Sequence, residues 1–277
     1  MNSNNIDIKV VEGFGDEWSR FNFSGFSDEE LAEVFELYFH VFPWHDLPKD
    51  AVGFDLGCGS GRWAKLVSPR VGLLHLIDPS DAALNVAKQN LAKQHNCKFH
   101  LASADNIPLE DNSADFGYSL GVLMCIPDTK KAIASCVNKL KIGAPFLLYI
   151  YYKFDNKPHW YKYVWQMSEP LRFLISRMPY QLRYLLSQMI AVSVYLPLSR
   201  SALLLERIGF NVNDFPLSFY RSKNFYFMQN DALDRFGTRL EKRYTKDEIC
   251  QMMEKAGLER ITFSDREPYW CAVGYKK

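Results

Sequence analysis

A doubly wound α/β fold with a mostly parallel sheet is predicted by three observations. Apolar runs of strand length alternate with stretches of helical length between residues 51 and 152. A turn with glycine at every second position follows the first run. Carboxylates stand where later runs end. Strands joined through helices lie parallel, and right-handed crossovers then place helices on both faces of the sheet. In such sheets ligands gather beyond the carboxyl ends of the strands.

Each element has its own justification. Val52, Phe54 and Leu56 give the first strand, and a helical pattern begins between Arg62 and Val67. Between them lies Gly57-Cys58-Gly59-Ser60-Gly61. Glycines at a strand-to-helix turn allow positive φ and close approach of a ligand to bare backbone, and the following helix start offers unpaired N–H groups. No Gly-Lys-Ser/Thr follows, which excludes a P-loop, and a dinucleotide fingerprint wants its third glycine one position after Gly61. Leu73 to Asp78 reads as a second strand, and Pro79-Ser80-Asp81 opens a helix through Lys93. Lys98 to Ala102 and Ala114 to Val122 read as further strands, Asp128 to Leu140 as a helix, and Ala144 to Tyr152 as a fifth, strongly apolar strand. Near the C-terminus, Thr245 and Glu248 form a capping-box pattern for a helix from Tyr244 to Ala256, with Gly257 as its stop. Leu258 to Ser264 and Tyr269 to Tyr275 complete the strands.

Composition narrows the function classes. The 277 residues carry 33 Lys and Arg against 32 Asp and Glu, a net charge of +1, so no global charge favours nucleic acid. Cysteines 58, 97, 125, 136, 250 and 271 show no C-x-x-C spacing, which argues against a disulfide frame or a metal site. The start MNSNNIDIKVVEG lacks a secretory leader pattern, and the expected location is cytoplasmic.

The ordered series FDLGCGSGRW, LIDPS, ASADNIPLEDNSADFGYSLGVLMCIPD and LKIGAPFLLYIYY resembles the class I S-adenosylmethionine-dependent methyltransferases. The resemblance covers 51–152 and resumes in the last helix and two strands. It implies a Rossmann-like seven-stranded sheet closed by an antiparallel C-terminal hairpin, and S-adenosylmethionine as cofactor. By the same resemblance, Gly57, Gly59 and Gly61 pass under the methionine part of the cofactor, with Asp55 near its ammonium. Asp78 would take the ribose hydroxyls, Asp105 the adenine amino group with Asn106 alongside, and Gly121, Val122 and Leu123 would line the path to the methyl. Read without the family, Asp55 could brace the loop and Asp105 could form an Asx-turn.

Two departures bear on chemistry. Small-molecule relatives often place Leu-His-His after the fourth strand, where this chain has Leu123-Met124-Cys125. The obvious base is therefore missing. Nor is there the Asp/Asn-Pro-Pro-Tyr box of amino-methylating nucleic-acid enzymes. Candidate bases are His45, His159, Tyr152, Tyr161 and Tyr220, with Arg221 as an anion clamp; a packing role competes with each. His40, His75, His95 and His100 fall within helical or strand patterns and read as packing or surface residues.

Three regions follow: an N-terminal helical lid over 1–50, a core over 51–152 and 244–277, and a helical substrate cap over 153–243. In the first, Leu31, Val34, Phe35, Tyr38, Phe39 and Phe42 recur at helical spacing, suiting either core packing or a lid together with Trp18 and Trp44. In the insertion, 160–167, 171–178 and 182–208 read as amphipathic helices broken by Pro170, Pro179 and Pro197. Between Lys157 and Arg207 seven Lys or Arg face two Glu, which suits a cap with solvated arginines, an anionic acceptor or a membrane surface. A spanning helix is not expected, because the uncharged run from Tyr184 to Ser199 is too short and holds Pro197. The expected activity is methyl transfer to a small molecule, with oxygen as a candidate acceptor atom. Methylation of a lipid or isoprenoid-type acceptor at a membrane, and a catalytically silent cofactor-binding partner protein, are the alternatives.

Overall fold

The computed structural model describes residues 5–22 and 27–277; residues 1–4 and 23–26 of the expected N-terminal region lie outside the described residues. Along the chain, α1 (Ile8–Arg20) and α2 (Asp28–Phe39) precede β1 (Val52–Leu56). Then come α3 (Ala64–Val67), β2 (Leu73–Asp78), α4 (Asp81–Asn90), β3 (Cys97–Leu101), β4 (Phe116–Leu120), α5 (Thr129–Lys139) and β5 (Pro145–Tyr149). Four helices follow: α6 (His159–Ile175), α7 (Tyr180–Ile190), α8 (Leu196–Arg207) and α9 (Phe225–Gly237). The chain closes with α10 (Lys246–Lys255), β6 (Leu258–Phe263) and β7 (Ala272–Lys276). Two units result, Met1–Tyr152 with Leu240–Lys277, and Lys153–Arg239.

In the first unit the seven strands form one sheet in the order β3-β2-β1-β4-β5-β7-β6. Strands β1 to β5 pair in parallel, while β7 runs antiparallel to both β5 and β6. The order reverses between β2-β1 and β4, so the chain ends leaving β1, β2, β3 and β4 converge on one edge. One face of the sheet packs Ala132, Ile133, Cys136 and Val137 of α5 and Ile249, Met252 and Met253 of α10 against residues such as Phe54 and Phe146. The opposite face receives the α2 aromatic stripe. Phe39 lies 5.3 Å from Tyr118 and Phe42 5.9 Å from Phe116, centroid to centroid. Leu31, Val34, Phe35, Phe39 and Phe42 are all buried, each side chain contributing roughly 1.5 to 3 kcal/mol by transfer from water. The stripe is core packing. Trp44 joins the same cluster, 4.6 Å from Phe42, with the Arg70 guanidinium 4.9 Å over its ring. Ser27 with Glu30 and Thr245 with Glu248 complete capping boxes that start α2 and α10.

Several boundaries differ from the sequence expectation. The helix α1 was not expected; the Asp7 carboxylate caps it by accepting from Lys9 and Val10 N–H, and it packs along α4. The helix expected through Lys93 ends at Asn90, and the last strand begins at Ala272 rather than Tyr269.

The second unit is helical. Its core joins Ile175 of α6, Ala191 and Tyr195, and Met228, Ala232 and Phe236 of α9. The helix α9 falls in a stretch where none was expected, capped by Asn224 accepting from Phe227 N–H. Pro179 does start a helix, but Pro170 and Pro197 break none. Pro170 sits inside α6 on its exposed side, where water can satisfy the backbone carbonyl that a proline leaves without an N–H. Pro197 falls in the first turn of α8, where a missing N–H is tolerated, directly after a π-helical segment, Ala191–Tyr195. Arg172 and Arg235 both pair with Glu169, and Arg172 Nη1 also donates to Thr238 O at 3.0 Å, tying α6 to α9.

Candidate functional site

The glycine turn after β1 is built around positive φ. Gly57, Gly59 and Gly61 have φ of +78°, +54° and +75°, a region that costs side-chain-bearing residues strain. At Gly59 space is also limiting: an added Cβ would stand 2.9 Å from Trp18 Nε1. Trp18, on α1, thus lies directly against the turn, and the Arg62 guanidinium lies between Trp18 and Trp63, 5.6 Å and 4.4 Å from the ring centroids. Gly121, after β4, has φ +76° with open space where a Cβ would go.

Three carboxylates surround this turn, in three different states. Asp78, the last residue of β2, accepts from Gly59 N–H through Oδ2 and from Ser80 N–H through Oδ1, both at 2.9 Å. Each oxygen is thereby fixed yet keeps a second lone pair. Burial raises its pKa to about 6, against the pull of those two N–H groups. Asp55, on β1, is 1% exposed, and its Oδ2 has no hydrogen-bond partner. Burial first, and the charge of Asp78 second, push its pKa to about 8; the neighbouring Tyr118 opposes this, although the Tyr118 hydroxyl forms no hydrogen bond of acceptable geometry. Asp55 therefore neither caps a helix nor braces the loop. Asp105, in the loop after β3, is engaged: its Oδ2 accepts from the backbone N–H of Asn5, and Lys131 Nζ stands 3.0 Å from Oδ1 as an ion pair whose geometry is not that of a hydrogen bond. Asn5 is also tied to Asp128, donating from Nδ2 to its carbonyl at 2.7 Å and accepting its N–H through Oδ1. Asn106 is exposed beside it.

Comparison with known proteins agrees with this geometry. Residues 54–148 match the profile of a family described as Methyltransferase domain. Residues 54–148 thus carry a methyltransferase domain. Over 150 residues it is 27% identical to a sterol 4-C-methyltransferase of Caenorhabditis elegans, a match covering 49% of this chain and 43% of that protein. It is 33% identical over 102 residues to phosphoethanolamine N-methyltransferase 2 of the same organism, covering 36% of this chain and 23% of the relative. The chain thus matches less than half the length of either relative. Among solved structures, a methyltransferase from Methanosarcina mazei shares the fold, with a TM-score of 0.52 at 15% identity over 85% of this chain and 98% of the other.

In the methyltransferase domain, the segment after β4 is apolar. Leu123, Met124 and Cys125 are buried, and Leu123 O accepts from the Thr129 hydroxyl, to which Tyr244 donates. Burial and the charges of Asp78 and Asp55 hold the Cys58 thiol well above its ordinary pKa, so it stays protonated. At the end of β5, Tyr149 is likewise pushed up by burial, which leaves its phenol a donor and not a base. Beside it, Arg243 pairs with Glu241 at 2.8 Å, lies 5.1 Å over the Tyr151 ring and donates to Tyr152 O.

The candidate bases are divided between the two units. His45 is exposed and lies 3.2 Å from its neighbour Asp46. Tyr152 belongs to the methyltransferase domain, its ring 5.7 Å from Tyr269. His159, Tyr161, Tyr220 and Arg221 belong to the helical unit. There Tyr220 packs on Tyr195, and Arg221 is committed to Glu206 through two contacts of 2.9 Å and to Ser218 O. Arg221 is therefore engaged by partners of its own unit. His75 and His100 lie edge to edge, with Nδ1 and Nε2 2.9 Å apart, and burial lowers His75 to about 4, which keeps it neutral. Sequence reasoning missed Asn5, Tyr118 and Arg243, and named Trp18 as a lid residue without its place against the glycine turn. Asp7 ahead of an apolar-periodic stretch signalled α1 and hence Trp18; for Arg243 no local pattern existed.

Proposed function

We propose that the protein transfers a methyl group from S-adenosylmethionine to a small-molecule acceptor. The observation that carries this reading is the set of three carboxylates at consecutive strand ends around a positive-φ glycine turn, with acceptor capacity left over at two of them. Asp55 Oδ2, buried and unmatched, suits the ammonium of the methionine part. Asp78, held by two backbone N–H groups, suits the two ribose hydroxyls. Asp105 with Asn106 suits the adenine edge, where an amino group would compete with Asn5 N–H for Oδ2. Gly57, Gly59 and Gly61 give the methionine part its floor, and Gly121 and Leu123 flank the methyl. Bound there, S-adenosylmethionine supplies an electrophilic methyl on a sulfonium.

The protein's own task is alignment and exclusion of water. Leu123 and Met124 offer no titratable base, and the Cys58 thiol and the Tyr149 phenol stay protonated. The acceptor's nucleophilic atom then reacts without a protein imidazole, which suits a carbanion, an amine already neutral or an acidic hydroxyl. The matched relatives are named for sterol and phosphoethanolamine methylation, both small acceptors. Incubation with labelled S-adenosylmethionine and fractionated metabolite extract tests the reading. Label appearing in one small-molecule fraction supports it; cofactor binding without turnover in any fraction would replace it with a silent cofactor-binding role.

A further inference from the structure

In the helical unit, the outward residues of α6 form one stripe: Trp160, Tyr163, Val164, Met167, Leu171 and Leu174 are all exposed and recur at spacings of three and four. On α7 and the π segment after it, Leu182, Leu185, Met189 and Val192 do the same, and Leu204 and Ile208 continue at the end of α8. Met167 is 81% exposed and Met189 57%. Apolar exposure on this scale marks an interaction surface.

The charge of the unit says what covers it. Lys153–Arg239 carries 12 Lys and Arg against six Asp and Glu, a net +6, whereas the rest of the chain, with 21 against 26, is −5. Across 171–205 there are four arginines and no acidic residue. Of the acids that the unit does have, Glu169, Glu206 and Asp214 are paired with Arg or Lys inside it. A net-basic unit with an acid-free stretch over 171–205 and an apolar helical face is complementary to an anionic lipid surface.

We infer that this face docks on an anionic bilayer, with α6 and α7 lying in the interface plane. Crossing the bilayer is a poorer fit. The stretch Tyr180–Arg207 has the length and apolarity for it. However, its inner side, Ala191 and Tyr195, packs on Met228, Ala232 and Phe236 of α9. That helix also carries Asp231, Asp234 and Arg235, which a spanning arrangement would draw into hydrocarbon. Lying in the interface leaves this packing intact and buries only the exposed stripe. The inference stands on the helical unit alone and does not depend on the methyl-transfer reading.

The test is co-sedimentation of the full chain with vesicles of phosphatidylglycerol and phosphatidylcholine at 50 mM salt, beside pure phosphatidylcholine. Binding is expected with the anionic vesicles, several-fold weaker at 500 mM salt. The double variant Met167→Glu/Met189→Glu should bind at least about tenfold less, because it places charge in the apolar contact. Since both residues are exposed, its melting temperature and S-adenosylmethionine affinity should match wild type. Arg177→Gln/Arg207→Gln should weaken binding by about fivefold for each charge removed. No wild-type binding at 50 mM salt, or equal binding by wild type and the glutamate variant, overturns the inference. So does light scattering that shows a dimer dissociated by the same glutamates in a protein that ignores vesicles, which would make a second copy the occupant.

Discussion

Asp55→Asn isolates the buried carboxylate on which the cofactor reading leans most. An acid raised from 3.8 to about 8 stabilises the folded protein fully below pH 3.8, and that contribution is lost as pH rises through about 8. Between pH 6.5 and 8.0 the linkage amounts to a loss of about 1.7 kcal/mol. Asp78, raised to about 6, adds only about 0.2 kcal/mol over the same window. Urea unfolding of the cofactor-free protein at the two pH values should show this decline in wild type and a nearly flat response in Asp55→Asn. A bound ammonium reverses the preference, so at pH 7 binding of S-adenosylmethionine should release roughly 0.9 proton per site. Calorimetry in two buffers of different ionisation enthalpy measures that number, and Asp55→Asn should abolish it. A wild-type stability that is flat across the window, or proton release unchanged in the variant, would refute the reasoning.

Asp78→Ala should weaken S-adenosylmethionine binding by about 1.5 to 3 kcal/mol, the scale of hydrogen bonds to a charged acceptor, and unchanged affinity in a folded variant would remove Asp78 from the site. Phe39→Ala should cost roughly 3 to 5 kcal/mol of stability by chemical denaturation, since a large buried ring leaves a cavity, while the folded fraction keeps wild-type cofactor affinity. Arg221→Gln should leave both melting temperature and methyl transfer close to wild type, because its pair with Glu206 sits at the surface of the helical unit; a selective rise in acceptor KM would restore it as an anion clamp.

Much of the methyltransferase domain was legible because its signals are local. The apolar runs of β1, β2 and β5 sit between glycine turns and capped helices, and the Thr245 and Glu248 capping box fixed the start of α10 within a residue or two. The helical unit was harder because proline carries different meanings by position. Pro179 starts α7, Pro170 is tolerated on an exposed side of α6, and Pro197 fits a first turn beside a π segment. The α2 stripe is equally periodic whether it covers a pocket or a sheet. Only the pairing of Phe39 with Tyr118 and Phe42 with Phe116 distinguishes them. In the site, residue types at strand ends announced Asp55, Asp78 and Asp105. Their different hydrogen-bonding states did not follow from sequence, because Asn5 reaches Asp105 and Gly59 reaches Asp78 from distant parts of the chain, while Asp55 Oδ2 is left without a partner by its burial.

The most direct measurement is a crystal structure of the protein with S-adenosylhomocysteine bound. The account predicts the nucleoside at the strand ends of β1 to β4, both ribose hydroxyls on Asp78, the ammonium beside Asp55 and Asn5 displaced from Asp105 where the adenine amino group binds. A ligand bound away from Asp55 and Asp78, in a protein whose fold is unchanged, would contradict it.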